Sequence, residues 1–177
     1  MATLQVPRSF TPMSQSPNPA APQQVAPLLA LATKLLQAGR PADAIVPLRD
    51  AALLEPFNPV VQHDLGLACL EVGRIPDAIQ AFERAVASNP CYADAYFRLG
   101  IALEKLGNIG EAIIRYDRAT ELDPSLTEAW FRAGALVYTL GHRDEAIGCF
   151  RRAAANGDNS SFARLAKARA LLIEDRN

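Results

Sequence analysis

Apolar residues recur along this chain every three or four positions, in short segments separated by polar and turn-forming residues. Because a helical turn takes about 3.6 residues, these segments predict amphipathic α-helices of two alternating kinds, A and B. Helices A are predicted at 26–38, 60–72, 93–106 and 127–140, and helices B at 41–55, 75–88, 109–122 and 143–156. A last helix is predicted over 161–174.

The whole pattern repeats with a period of 34 residues. Glycine follows every predicted helix A, alanine recurs twice in every helix B, and proline follows three of the helices B. The columns are Gly39, Gly73, Gly107 and Gly141; Ala44, Ala78, Ala112 and Ala146; Ala51, Ala85, Ala119 and Ala153; and Pro56, Pro90 and Pro124. A constant period in several columns indicates a repeat protein, in which each helix pair buries its apolar face against its neighbours.

The residues at fixed offsets identify the kind of repeat. The unit over 93–126 carries the anchors Tyr96, Leu99, Gly100, Leu103, Gly107, Ala112, Tyr116, Ala119 and Pro124. This pattern resembles the tetratricopeptide repeat (TPR) family. The resemblance covers four units, 25–58, 59–92, 93–126 and 127–160. It implies an all-α, right-handed solenoid of four helix pairs, with residues 161–177 as a capping helix or the start of a truncated fifth repeat.

Small residues predict where the two helices of a unit meet. Seven residues turn a helix through nearly two full turns, so Ala112 and Ala119 share one face of helix B. We expect helix A to approach there. On helix A, the positions without a side chain that face this contact are predicted to be Gly66, Gly100 and Gly134.

Two segments depart from the regular pattern. Residues 1–24 are rich in proline, serine and glutamine, and this composition predicts a disordered tail. Pro47 lies inside the first helix B. Because proline removes a backbone donor and clashes with the preceding turn, that helix is predicted to be kinked or frayed.

Composition narrows the class of protein. Half of the 177 residues are apolar, enough for one domain with a core, and 18 basic against 19 acidic side chains leave a net charge of −1. This balance argues against nucleic acid or an anionic membrane as partner. No apolar run approaches the ~20 residues of a membrane-spanning helix. Cys69, Cys91 and Cys149 show no metal-ligand or redox spacing, which favours free thiols and a cytoplasmic protein.

The family resemblance implies a binding groove on the concave face, lined by helix A residues one position round from the packing stripe. In this sequence these are Leu29, Thr33, Leu36, His63, Leu67, Leu70, Phe97, Arg98, Ile101, Glu104, Phe131, Arg132, Ala135 and Tyr138, continued on the last helix by Leu165, Arg169 and Leu172. Most are apolar, so one interpretation is a groove for a partner peptide. The competing interpretation is that these side chains fill the space between successive helices A.

Two specialised binding modes of the family are not supported. Members that hold a free C-terminal carboxylate use Asn and Lys, whereas the corresponding positions here carry Leu29, Thr33, Leu67, Arg98 and Ile101. Members with an Asn ladder differ as well, because that column reads Ala30, Asp64, Arg98 and Arg132. Arg98 and Arg132 each follow an acidic residue by four positions, Asp94 and Glu128. Local ion pairs are therefore expected, with a basic rim for acidic peptides as the alternative.

Catalysis is not predicted. The clusters with catalytic residue types are His63 with Asp64, and His142 with Asp144 and Cys149. Adjacent residues on a helix point about 100° apart, so His63 and Asp64 are not expected to face each other. Two isolated histidines predict no metal site, and the glycines follow the repeat instead of forming a phosphate loop. We therefore expect no enzyme activity, no cofactor and no metal.

The sequence thus predicts a cytoplasmic scaffold for protein–protein interaction, with a protein or peptide as partner. Two other roles stay open. One is the N-terminal substrate-docking module of a larger sulfotransferase or glycosyltransferase, which the incomplete fifth unit suggests. The other is self-assembly into a homo-oligomer, with Val6, Phe10 and Met13 of the tail inserted into the groove of a neighbouring copy.

Overall fold

The computed structural model of the chain describes residues 21–156 and 161–174. Within them the chain folds into nine α-helices without a strand. The helices are α1 (Ala21–Gln37), α2 (Pro41–Leu54), α3 (Pro59–Glu71), α4 (Ile75–Ser88), α5 (Ala93–Leu106), α6 (Ile109–Leu122), α7 (Thr127–Thr139), α8 (Arg143–Asn156) and α9 (Ser161–Glu174). Consecutive helices pack as antiparallel pairs, and each pair packs on the next. The predicted all-α solenoid is confirmed.

The same turn joins helix A to helix B in all four units. Gly39, Gly73, Gly107 and Gly141 adopt φ values between 69° and 88°, a region that other residues rarely occupy. The residue after each glycine donates its N–H to a carbonyl five positions earlier, as Asn108 does to Leu103 at 2.9 Å. This bond is typical of a Schellman motif, which satisfies the last carbonyls of helix A. The glycine column therefore ends helix A as predicted.

A second recurring contact closes the turn from helix B back to helix A. The Nε2 of Gln62 donates to the carbonyl of Pro56 at 3.0 Å, and the Nε1 of Trp130 donates to the carbonyl of Pro124 at 3.1 Å. Both pairs occupy equivalent positions of their units, 68 residues apart along the sequence. An amide and an indole thus perform the same task, which explains how glutamine can stand in the aromatic column.

The core lies between the A and B layers. All eight alanines of the two helix B columns are fully buried, with 0 % exposure. The glycine positions on helix A are filled by an aromatic ring of the same unit: a Cβ added at Gly66 would lie 2.6 Å from the ring of Phe82, and one at Gly100 2.5 Å from that of Tyr116. The absence of a side chain at Gly66 and Gly100 of helix A therefore makes room for the rings of Phe82 and Tyr116 of helix B.

Two expectations at the start of the chain need correction. The sequence pattern assigns residues 21–24 to the tail, whereas α1 begins at Ala21. Pro22 does not oppose this, because the first turn of a helix has no use for its missing N–H. Residues 1–20 of the predicted tail lie outside the described residues. The expected fraying at Pro47 is also wrong: α2 has 14 residues, like α4 and α6, and buries Pro47 in the core.

Helices A and B are not equivalent in their outer contacts. Two pairs of helices A from neighbouring units touch each other, α3 with α5 and α7 with α9. Among the described residues, no two helices B pack against each other to that extent. The side of the solenoid formed by helices A is called the A side and the opposite one the B side, where a cleft lies between α2 and α4.

Candidate functional site

The predicted groove residues divide into two groups by exposure. His63, Phe97 and Ile101 are buried, with 6 %, 4 % and 9 % of their surface exposed. Thr33 is exposed, and the others are half-buried: Leu29, Leu36, Leu67, Leu70, Arg98, Glu104, Phe131, Arg132, Ala135 and Tyr138. On α9, Leu165, Arg169 and Leu172 are exposed. The buried group is part of the interior of the solenoid, while the half-buried group leaves an accessible surface.

The two phenylalanines of the predicted groove have different environments. Phe97 packs on Tyr116 of its own unit, with ring centroids 5.9 Å apart. Phe131 packs on Phe150 at 5.6 Å and on Phe162 of α9 at 5.7 Å, yet keeps part of its surface accessible. Truncating buried Phe97 would open a cavity at a typical cost of about 3–5 kcal/mol. Phe97 is therefore unsuitable as a probe of binding alone.

His63 joins two neighbouring units through carboxylates. Its Nε2 lies 2.7 Å from Oδ2 of Asp94 on α5, and its Nδ1 lies 3.4 Å from Oδ1 of Asp64. The expectation that His63 and Asp64 do not meet is wrong, because the aspartate side chain reaches back to the ring. The ring also packs on Phe82 and Tyr92, with centroids 5.8 and 5.1 Å away.

These contacts shift the pKa values of His63 and Asp94. Burial disfavours the imidazolium, but hydrogen bonds and negative charge from Asp64 and Asp94 outweigh it and raise the pKa of His63 above 6.5. The hydrogen bond to His63, opposed by burial and helped by Arg98, lowers the pKa of Asp94 below 3.8. The pair is therefore an ion pair at mildly acidic pH. The sequence pointed to Asp94 only as the partner of Arg98, and no signal linked it to His63, 31 residues away.

A second polar network connects the units 93–126 and 127–160. Glu104 accepts a 2.5 Å hydrogen bond from the Tyr116 hydroxyl and one from Arg132 at 3.2 Å. Burial, together with this contact to Glu104, raises the pKa of Tyr116. The hydroxyl therefore stays protonated as a donor.

Both arginines of the A surface form the local pairs that the sequence predicts. Arg132 Nε donates to Glu128 at 2.8 Å, and Arg98 Nε lies 3.3 Å from Asp94 Oδ1. The guanidinium of Arg98 also lies 5.3 Å from the ring centre of Phe97. Both guanidinium groups therefore lie beside carboxylates of the same helix.

The second cluster of catalytic residue types has no catalytic geometry. The His142 side chain is 64 % exposed and lies 4.0 Å from Glu145. Cys149 is buried, and burial, followed by the negative charge of Asp117, raises the pKa of its thiol to about 11. A thiol protonated at neutral pH is a weak nucleophile. Within 21–156 and 161–174, no three His, Cys, Asp or Glu side chains are grouped as metal ligands.

Comparison with known proteins identifies the family. A family model described as tetratricopeptide repeat matches residues 63–127. The crystal structure of MamA superposes with a TM-score of 0.73 at 32 % sequence identity, covering 77 % of this chain and 80 % of that one. The chain belongs to the tetratricopeptide repeat family. TPR arrays are generally protein-interaction scaffolds and not enzymes, and this chain has their fold.

Other TPR structures extend the comparison. The first TPR of Spaghetti (RPAP3), bound to the HSP90 peptide SRMEEVD, is 28 % identical, with a TM-score of 0.65 over 67 % of this chain and 94 % of that one. The Pseudomonas aeruginosa PilF structure, 21 % identical with a TM-score of 0.75, covers 89 % of this chain and 72 % of that one and supports the fold alone. Curated protein sequences gave no significant match.

The helices were also compared with the dimensions of a bilayer. None of those in the described ranges has the length and apolar character needed to cross a membrane.

Proposed function

We propose that this chain is a protein-interaction scaffold that holds a peptide or domain of a partner protein on its A side. The binding surface, named the A groove, consists of Leu29, Thr33, Leu36, Leu67, Leu70, Phe131, Ala135 and Tyr138. The supporting observation is that these side chains keep accessible surface although His63, Phe97 and Ile101, in the same columns of the repeat, are buried. Apolar side chains left accessible in one stripe are typical of an interaction site.

The chemistry of the A groove favours an apolar ligand. Arg98 and Arg132 are partnered by Asp94, Glu128 and Glu104. A free C-terminal carboxylate would meet Leu29, Thr33 or Leu67 where clamp residues are expected. The peptide-bound structure of RPAP3 supports the use of this fold for peptide capture. For this chain we infer a partner segment that inserts apolar side chains, without a C-terminal carboxylate clamp.

The net charge and the cysteines bear on the class of partner and on the cellular compartment. A net charge of −1 gives no electrostatic field that would attract nucleic acid or an anionic membrane, and we infer no catalytic activity. The three cysteines are unpaired thiols, two of them buried. Free thiols favour a reducing compartment, so the proposed location is the cytoplasm.

A double substitution tests the A groove. Leu67→Glu with Ala135→Glu places carboxylates at equivalent positions of the units 59–92 and 127–160. Because a charge in an apolar contact is strongly disfavoured, peptides selected from a random phage-displayed library on the wild-type chain should bind the variant about tenfold more weakly or worse. Affinity is measured by fluorescence anisotropy with the selected peptides.

The matched control is Val46→Glu with Ile114→Glu, an equal change of charge at equivalent positions of two helices B, where both side chains are exposed. It should leave peptide affinity unchanged. Circular dichroism and sedimentation velocity on all variants separate loss of binding from loss of fold or of an oligomer. Equal affinity of a folded double variant and the wild type would contradict the proposal.

A further inference from the structure

A cleft opens on the B side of the molecule, between α2 and α4 and above α3. Its volume is about 210 Å³, enough for one large apolar side chain. The floor is apolar, formed by Ala52, Leu65 and Ala81, and the rim carries Arg49 and Arg84. The A groove residues of α3 are Leu67 and Leu70, whereas the cleft uses Leu65 and Cys69, so the two surfaces share no residue.

The repeat register explains why the cleft opens at this place. Ala81 stands at the floor here, whereas the equivalent position one unit later is Arg115, a half-buried long side chain. The next equivalent position is Cys149. Leu53, at the edge of the cleft, is 81 % exposed, and its equivalent one unit later is the smaller Ala87. A small residue at the floor of the cleft, Ala81, and a large apolar residue at its edge, Leu53, therefore occur together between α2 and α4.

The rim carries an excess of positive charge. Asp77 is the acidic residue of the lining, and its carboxylate lies 3.9 Å from Arg49 and also contacts Arg74. No carboxylate among residues 21–156 and 161–174 lies within ion-pair distance of Arg84. Where Arg49 stands here, the following units have Glu83 and Asp117. The lining thus holds two arginines and one aspartate, and that aspartate also pairs with Arg74 outside the cleft.

We propose that this cleft binds a short segment of a partner protein that carries a large apolar side chain flanked by acidic residues. The apolar side chain fills the space above Ala52 and Ala81 and extends the contact to Leu53. The flanking carboxylates pair with Arg84 and Arg49, and the unpartnered Arg84 has the larger role. This inference is independent of the A groove, because none of its residues is shared with that surface.

The experiment uses the full chain labelled with nitrogen-15 and three blocked hexapeptides as probes. Their sequences are Asp-Glu-Leu-Phe-Glu-Asp, the same with Ala-Ala in the centre, and Lys-Lys-Leu-Phe-Lys-Lys. The first peptide should shift the amide resonances of Ala52, Ala81 and Arg84, and the other two should bind at least about tenfold more weakly. Resonances of the A groove should not move.

Two substitutions and one matched control complete the test. Arg84→Glu should weaken the first peptide about tenfold or more, since it turns an attraction into a repulsion. Arg118→Glu changes the equivalent arginine one unit later and should leave affinity unchanged. Ala81→Arg copies the residue of the next unit and should close the cleft to the first peptide. If this variant fails to fold, Leu53→Asp at the exposed edge of the cleft is tested in its place.

Several results would overturn the inference. Shifts confined to the A groove would assign the peptide to that surface instead. If the Ala-Ala peptide bound as tightly as the first peptide, the arginines of the rim would bind acidic peptides without use of the apolar floor. Equal effects of Arg84→Glu and Arg118→Glu, or no shift at about 2 mM peptide, would show that the cleft is not a binding site for such a segment.

Discussion

Replacing Gly100 by alanine is expected to destabilise the protein, although alanine is the better helix former. The new Cβ would lie 2.5 Å from Cε1 and 2.6 Å from Cδ1 of the Tyr116 ring. That ring cannot move aside easily, because Tyr116 is fully buried and its hydroxyl is bound to Glu104 at 2.5 Å. Overpacking of this kind costs about 1–3 kcal/mol. The gain in helix propensity, about 1 kcal/mol at most, reduces this loss without reversing it.

The matched control is Gly148→Ala in α8, where an added Cβ meets nothing within 4 Å. There the helix propensity acts alone, and the free energy of unfolding should rise by about 0.5–1 kcal/mol. Urea denaturation followed by circular dichroism measures both variants. An increase in stability for Gly100→Ala would contradict the tight contact between helix A and the Tyr116 ring.

The second expected result is a stability maximum at mildly acidic pH that depends on His63. Because the pKa of His63 is raised above 6.5 in the folded state, its contribution is complete below pH 6.5 and is lost as pH rises through the folded pKa. The lowered pKa of Asp94 means that its contribution is present above about pH 3.8 and is lost as pH falls through the folded pKa. The pair therefore stabilises the fold most between these values.

His63→Gln should remove this pH dependence and lower stability at pH 5.5 by on the order of 1–2 kcal/mol. This estimate is at the low end for a hydrogen bond to a charged group, because the Asp94 side chain is 39 % exposed. Urea midpoints are measured at pH 5.5 and pH 8. His142→Gln, at a side chain that is 64 % exposed, is the control and should behave like the wild type. A His63→Gln variant that keeps the wild-type difference between the two pH values would exclude this pair as its source.

Helix positions were largely predictable from the sequence because the signals that end these helices are local. From α2 onward, every predicted helix end agrees with the structure to within one residue. Positive φ at Gly39, Gly73, Gly107 and Gly141 ends helices A, and a proline two residues after α2, α4 and α6 prevents their extension. The start of α1 was missed because Pro22 and the neighbouring glutamines resemble the tail in composition.

The candidate sites were less predictable because burial depends on neighbouring units. The same column of helix A contains buried Phe97 and half-buried Phe131. Their types are identical, so the residue type alone could not tell which of the two is buried. The cleft between α2 and α4 was missed for a related reason. The sequence shows only that Ala81 is small, and the space above it is recognised only once the position of α2 is known.

By itself the sequence determined the repeat, its period, the order of the helices and the family, since glycine, proline and small residues act within a few positions of the chain. Only the tertiary structure decided which A residues fill the interior, that His63 meets Asp94, and that Glu104 joins Tyr116 to Arg132. Those contacts link residues 12 to 31 positions apart. They depend on how the two helices of a pair, and successive pairs, pack together, and that packing is set by all of the side chains at each interface.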